Sequence, residues 1–209
     1  MKLIIEYQYF TSSILYFTLF KNSYIEFEIC ENYQKAGFRN RLMLASPSGP
    51  VSLSIPLAGG RNTRVPVSEV KIDYRQPWQS HHLKTLKNYY NRSPWFDLYL
   101  PELEDLFRQQ PELLISWNRI CFEWICKKMN ISAKITETGS YQKILPPGEY
   151  FDWRGKILPS TYTSVELPGA VAVPVYHQVY EAQTGFLPNL SVLDLLFCEG
   201  PRSARLPTH

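Results

Sequence analysis

Lys2-Leu3-Ile4-Ile5-Glu6 opens the chain, Thr11-Ser12-Ser13 follows, and Ile14-Leu15-Tyr16-Phe17-Thr18-Leu19-Phe20 makes a dense apolar run. Tyr24-Ile25-Glu26-Phe27-Glu28-Ile29 then alternates apolar and polar residues. The first run predicts a strand that runs out near Tyr9-Phe10. The hydroxyl cluster offers a helix N-cap. The apolar run predicts a short helix, and the alternation predicts a second strand. Strand, short helix, strand is a βαβ unit, and its apolar character predicts a buried, parallel pairing.

Working outward, Asn40–Ala45 and Val51–Leu57 flank Ser46-Pro47-Ser48-Gly49-Pro50, a hairpin turn. The loop Ala58-Gly59-Gly60-Arg61-Asn62-Thr63-Arg64 leads to a further strand, Val67–Asp73. Residues 76–129 read as helices. Gln76–Tyr90 is one, and Ser93-Pro94, Pro101 and Pro111 each fit a helix start. Glu102, Glu104 and Asp105 are then expected at a helix N-terminus, where carboxylates are favoured. Ala133–Thr138 predicts a strand within a turn-rich stretch from 131 to 175, and Tyr176–Tyr180 alternates again. Asn189 is expected to cap a helix, Leu190–Glu199, which Gly200-Pro201 stops. Its Leu193, Leu196 and Phe197 should pack on the core. The expected fold is α/β: a mixed sheet begun by the βαβ unit and extended by the hairpin, with the helical segment 76–129 packed on it. Residues 1–202 form one domain and 203–209 a tail.

Composition narrows the function classes. With 44% hydrophobic and 20% charged residues in 209, disorder is excluded. Sixteen Pro against 10 Gly argue against a coiled coil or repeat bundle. A net charge of +3 does not point to a nucleic acid polymer. Cys30, Cys121, Cys126 and Cys198 include no CxxC pair, so a zinc ribbon or thioredoxin-like motif is absent, and the thiols read as reduced. Glu6 interrupts the start where a signal peptide is apolar. The apolar stretches Ile14–Phe20 and Leu167–Tyr176 are too short to span a membrane. The expectation is a cytoplasmic protein without a transmembrane segment, metal or cofactor.

Charge is segregated along the chain. No acidic residue lies between Glu31 and Glu69, while Lys35, Arg39, Arg41, Arg61 and Arg64 do. Guanidiniums and the N–H groups of Gly59-Gly60 suit phosphate oxygens, and no GxxxxGK[ST] motif is present. The patch reads as an anion site or as a solvated hairpin edge. As an anion site, it should bring Arg39, Arg41, Arg61 and Arg64 onto one concave surface. His82 shares a helix face with Trp78, Leu86 and Tyr89. It is a core residue or a general base, expected to be buried, neutral and near the basic patch or Asp73. Cys30 ends a strand, as a nucleophilic thiolate or an inert thiol. No HExxH or GxSxG motif is present.

Six segments together resemble the WbqC-like family of bacterial proteins. They are Glu31-Asn32-Tyr33-Gln34-Lys35, Phe38-Arg39-Asn40-Arg41, Leu53-Ser54-Ile55-Pro56-Leu57, Ile72-Asp73-Tyr74 with Trp78 and His82, Tyr90–Phe96, and Gly185–Phe197 with Glu199-Gly200-Pro201. The resemblance implies a place in surface-polysaccharide (O-antigen) assembly and a glycine-transferase role. Relatives commonly carry His where Cys30 stands and Pro near Thr11-Ser12-Ser13. The leading expectation is a transferase of an aminoacyl or acyl group to a nucleotide-linked amino sugar. His82 or Asp73 would act as base. Lys35, Arg39, Asn40, Arg41, Gly59, Gly60, Arg61 and Arg64 would hold the small anionic ligand, and Tyr33 or Trp78 would stack on its base or sugar face. The rivals are a non-catalytic sugar-nucleotide binding module and a metal-dependent nucleotidyltransferase-like enzyme, for which Asp73 lacks a paired carboxylate.

Overall fold

Strand β1 (Lys2–Glu6), helix α1 (Ser13–Lys21) and strand β2 (Tyr24–Glu28) form the expected βαβ unit in the computed structural model, with Leu3 beside Ile25 and Ile5 beside Phe27 in parallel register. Residues 1–22, 24–35, 37–59 and 65–206 are described. Strand β3 (Arg41–Ser46) and strand β4 (Gly49–Ser54) pair antiparallel about Pro47-Ser48, with Gly49 at φ 105° in the turn. Helices α2 (Trp78–Tyr90), α3 (Phe96–Arg108) and α4 (Leu114–Lys128) follow. Strands β5 (Lys134–Glu137) and β6 (Tyr150–Asp152) and helices α5 (Glu181–Thr184) and α6 (Val192–Glu199) complete the chain.

The main sheet has the order β5-β2-β1-β6 and is parallel throughout. The hairpin forms its own two-stranded sheet instead of extending the first. On one face of the main sheet, Leu3, Ile5, Ile25 and Phe27 join the core. Phe27 stacks on Tyr7 at 3.6 Å between ring centroids and meets Phe122 of α4 edge-on at 4.9 Å. The register sets Ile4, Glu26 and Asp152 on the opposite face. That face is polar. The chain joining β5 to β6 must pass from one edge strand to the other, and its residues 138–145 lie over Ile4, Glu26, Glu28 and Tyr150.

Several elements differ from their expected form. Val67–Asp73 is a 3-10 turn (Val67–Glu69) followed by single bridges, Lys71 to Leu113 and Ile72 to Leu57, so it docks between two segments and joins no sheet. Pro101 lies inside α3, on its exposed side, where one missing N–H does not break the helix. Glu102 and Glu104 therefore sit mid-helix and tie α3 to its neighbours through Lys128 and, at 2.6 Å, Lys87. β6 is a strand of three residues, too short to show alternation. Tyr176–Tyr180 does alternate in burial, with Tyr176 and Gln178 inside and His177 out, but joins no sheet.

The C-terminal helix begins at Val192, and its cap is Ser191, whose Oγ accepts from the Leu193 N–H at 3.3 Å; Asn189 is left-handed at φ 56°. Gly200 ends the helix at φ 59°. There a Cβ would lie 2.3 Å from the Trp95 ring. Ser203, expected in a tail, is buried in a 3-10 turn over Gly200–Arg205. Residues 10–13 meet 189–192 backbone to backbone. The Ser13 N–H donates to Leu190 at 2.9 Å, the Val192 N–H to Thr11 at 2.9 Å, and the Ser191 hydroxyl to Phe10 at 2.7 Å.

Leu193, Leu196 and Phe197 of α6 are fully buried. Leu196→Ala should therefore lower the unfolding free energy by ~2–5 kcal/mol. Ile144→Ser, at a side chain 86% exposed, should stay within about 0.5 kcal/mol. Urea denaturation of both variants measures the difference, and equal midpoints would place α6 at the periphery.

Candidate functional site

After β2 the chain turns along the antiparallel partner 65–67. The Tyr33 N–H donates to Val65 at 2.9 Å and the Val67 N–H to Glu31 at 2.9 Å. Asn40 ties the start of β3 to the end of β4. Its carbonyl accepts from the Ile55 N–H at 2.7 Å, and its Nδ2 donates to the Ile55 carbonyl at 2.8 Å. Between these segments lies a cavity of about 390 Å³ lined by Tyr33, Lys35, Asn40, Arg41, Ile55, Pro56 and Leu57. Among the described residues the lining holds two cations, Lys35 and Arg41, and no carboxylate. Arg41 makes no hydrogen bond or ion pair among the described residues, and its Nε is buried without a partner. An uncompensated, half-buried guanidinium favours an anion. Burial raises the pKa of the Tyr33 phenol, against the opposing pull of Arg39 and Arg41, so at neutral pH it is a hydrogen-bond donor.

Four of the expected ligand residues, Tyr33, Lys35, Asn40 and Arg41, thus share one cavity. Gly59 follows its wall, exposed and at φ 81°. Gly60, Arg61 and Arg64 lie outside the described residues, so convergence can be followed only for Arg39 and Arg41, and these two part. Arg39 is buried, its Nε 3.0 Å from Glu31 Oε1 and its Nη2 3.9 Å from Glu6 Oε2. Its charge is spent on these carboxylates, which corrects its assignment to phosphate. Trp78 is also corrected: it is buried against Trp117 at 5.5 Å and His82 at 5.1 Å, away from the cavity lining.

The expected bases are placed elsewhere. Asp73 is gripped by Arg75, Nε to Oδ1 at 3.0 Å and Nη2 to Oδ2 at 2.6 Å. These bonds lower its pKa to about 2, which leaves little basicity. His82 is buried, and neither it nor Asp73 lines the cavity. The Tyr9 hydroxyl sits 3.0 Å from its Nδ1, and the ring packs on Tyr9 and Trp78. Burial first, and His81 second, push His82 down to about 4, so the ring is neutral, as expected, but it faces the core. Cys30 stands at the carboxyl end of β2, half-buried. Its N–H donates to Glu28 at 2.8 Å and its Sγ lies 3.4 Å from the Thr138 carbonyl.

The carboxyl ends of the parallel strands carry a network that the motif reading missed. Glu6 accepts from Gln8 Nε2 at 2.8 Å and from the Gly155 N–H at 2.9 Å. Arg154 grips Asp152 with two bonds of 2.9 Å, reaches Glu28 at 3.3 Å and donates to the Gln142 carbonyl at 2.7 Å. One signal was present: Glu6, Glu26 and Glu28 occupy alternate positions of strands that a parallel sheet normally makes apolar on both faces. Ligand clefts in such sheets open at these strand ends.

The model of the WbqC-like protein family matches residues 13–147, about two thirds of the chain, and the chain belongs to that family. No curated protein and no solved structure matches it.

The depressed His82 pKa carries a sign. The unfolded chain binds this proton below about 6.5 and the folded chain only below about 4. Stability should therefore fall as pH drops from 6.5 to 4, by on the order of 3 kcal/mol from this residue. His82→Gln should flatten that part of the curve of unfolding free energy against pH. An unchanged slope would show that His82 titrates normally.

Proposed function

We propose that this WbqC-like protein binds a phosphate-bearing small molecule, of the sugar-nucleotide class, in the cavity between the 31–35 segment and the β3–β4 hairpin. The observation that carries the reading is Arg41, half-buried and without a partner among the described residues, in a lining that holds Lys35 and no acid. A phosphate there gains charge-assisted bonds from Arg41 and Lys35 and a neutral one from the Tyr33 hydroxyl. Ile55, Pro56 and Leu57 supply an apolar wall that excludes water from one side. Among the described residues no helix is long and apolar enough to cross a membrane, and we place the work of this site on the cytoplasmic side.

A second reading is group transfer: an aminoacyl or acyl group passed to a nucleotide-linked amino sugar in surface-polysaccharide assembly. Family membership supports it. The chemistry requires a group that takes a proton from the sugar amine. Asp73 and His82 were the expected bases, and their ion pair and burial favour the binding reading as the first of the two.

Titration calorimetry with UDP-linked sugars separates the readings from chance. Arg41→Gln should weaken binding roughly 10–100-fold, the worth of one charge-assisted bond. Asp73→Asn should leave affinity unchanged. Equal affinities for wild type and Arg41→Gln would remove the anion site. Turnover lost in Asp73→Asn with binding intact would move the transfer reading ahead.

A further inference from the structure

We propose that a second cleft, on the other side of the Glu31–Lys35 segment, takes the hydroxyl-rich ring of the ligand whose phosphate the Arg41 cavity holds; this rests on the anion-binding reading above. The cleft encloses about 270 Å³, lined by Glu31, Gln34, Tyr141, Lys143, Gly155 and the ion pair of Asp152 with Arg154. It lies at the carboxyl end of the parallel sheet between β1 and β6. The chain leaves β1 toward one edge and arrives at β6 on the other, which is the switch point where such sheets open a crevice.

Neighbouring residues face the two spaces. Tyr33 and Lys35 line the cationic cavity, and Glu31 and Gln34 line the cleft. The Glu31–Lys35 segment, paired with 65–67, is the wall that the two spaces share.

The lining sets the chemical class. It mixes acceptors (Asp152, Glu31), donors (Lys143) and groups that are both (Gln34, Tyr141). A hydroxyl also donates and accepts, so a polyol matches every wall, whereas a nucleobase or acyl chain wants apolar surface that this cleft lacks. The Tyr141 ring, half exposed and with the Arg154 guanidinium 5.6 Å from its centroid, adds an aromatic surface to the cleft. Gly155 keeps the floor open. It sits at φ 63°, and a Cβ there would point toward Gln34, 3.8 Å from its Oε1. Gln34 and Lys143 form no side-chain hydrogen bond or ion pair among the described residues. Their truncation therefore tests the cleft without disturbing the fold.

The test is calorimetry on the full chain with inorganic phosphate and with glucose 1-phosphate. Glucose 1-phosphate should bind at least tenfold more tightly than phosphate. Gln34→Ala and Lys143→Ala should each remove roughly five- to tenfold of that gain and leave phosphate affinity unchanged. Arg41→Gln should weaken both ligands. If both ligands bind equally, or the two truncations keep the gain, the cleft is not the sugar site while the anion cavity stands. If Arg41→Gln changes neither ligand, the anion cavity itself fails, and this inference with it.

Discussion

Asp194 is a fully buried carboxylate with no ion-pair partner among the described residues, and three donors hold it. Tyr90 Oη reaches Oδ1 at 2.7 Å; Tyr176 Oη and Gln178 Nε2 reach Oδ2 at 2.6 and 2.9 Å. Burial raises its pKa, and these donors oppose the rise. A buried carboxylate is tolerated only when its oxygens are satisfied, so α6, the end of α2 and the extended 176–178 segment must all be in place together. Tyr90 then accepts from the Ala45 N–H at 3.0 Å, and the Ser191 N–H donates to Met43 at 2.9 Å. Both bonds fix the hairpin to the core. Arg41 begins that hairpin, so the orientation of the candidate site descends from a carboxylate in the last helix.

Arg39 and Arg41 stand two residues apart and have opposite fates. Arg39 precedes the hairpin and is buried against Glu31, while Arg41 opens β3 and lines the cavity. Burying a guanidinium without a carboxylate costs more than folding can spare. Glu31 provides the carboxylate, and burial pushes its own pKa up against the guanidinium that holds it charged. The pair fixes the segment that separates the two cavities. Among the described residues, what reads in sequence as one basic patch is therefore one structural cation, Arg39, and two that line the cavity, Lys35 and Arg41.

The polar sheet face has a related origin. Helices usually cover both sides of a parallel sheet. Here the β5–β6 connection is an irregular segment that brings Thr138 to Glu28, at 2.9 Å, and Gln142 to Arg154. Glu28 can then be buried, since it takes bonds from Thr138 and Arg154, while Glu6 takes them from Gln8 and the Gly155 N–H.

The sequence alone determined the local elements. The βαβ unit, the hairpin around Pro47-Ser48, the long helices and the Gly200 stop follow from periodicity and backbone chemistry that act within a few residues. It also marked Lys35 and Arg41 as cations of a stretch, 32–68, that holds no acid. Tertiary structure decided the rest. Whether a charge is free depends on partners far along the chain: Glu6 lies 3.9 Å from Arg39, and Arg119 meets Glu137 at 3.0 Å. His82 looked like a base because its helix face is amphipathic, yet Tyr9 and Trp78 claim its ring. Pro101 looked like a helix start, yet packing carries α3 through it. Periodicity tells which side of an element is inward, and only the assembled chain tells whether inward means a core, an ion pair or a cavity.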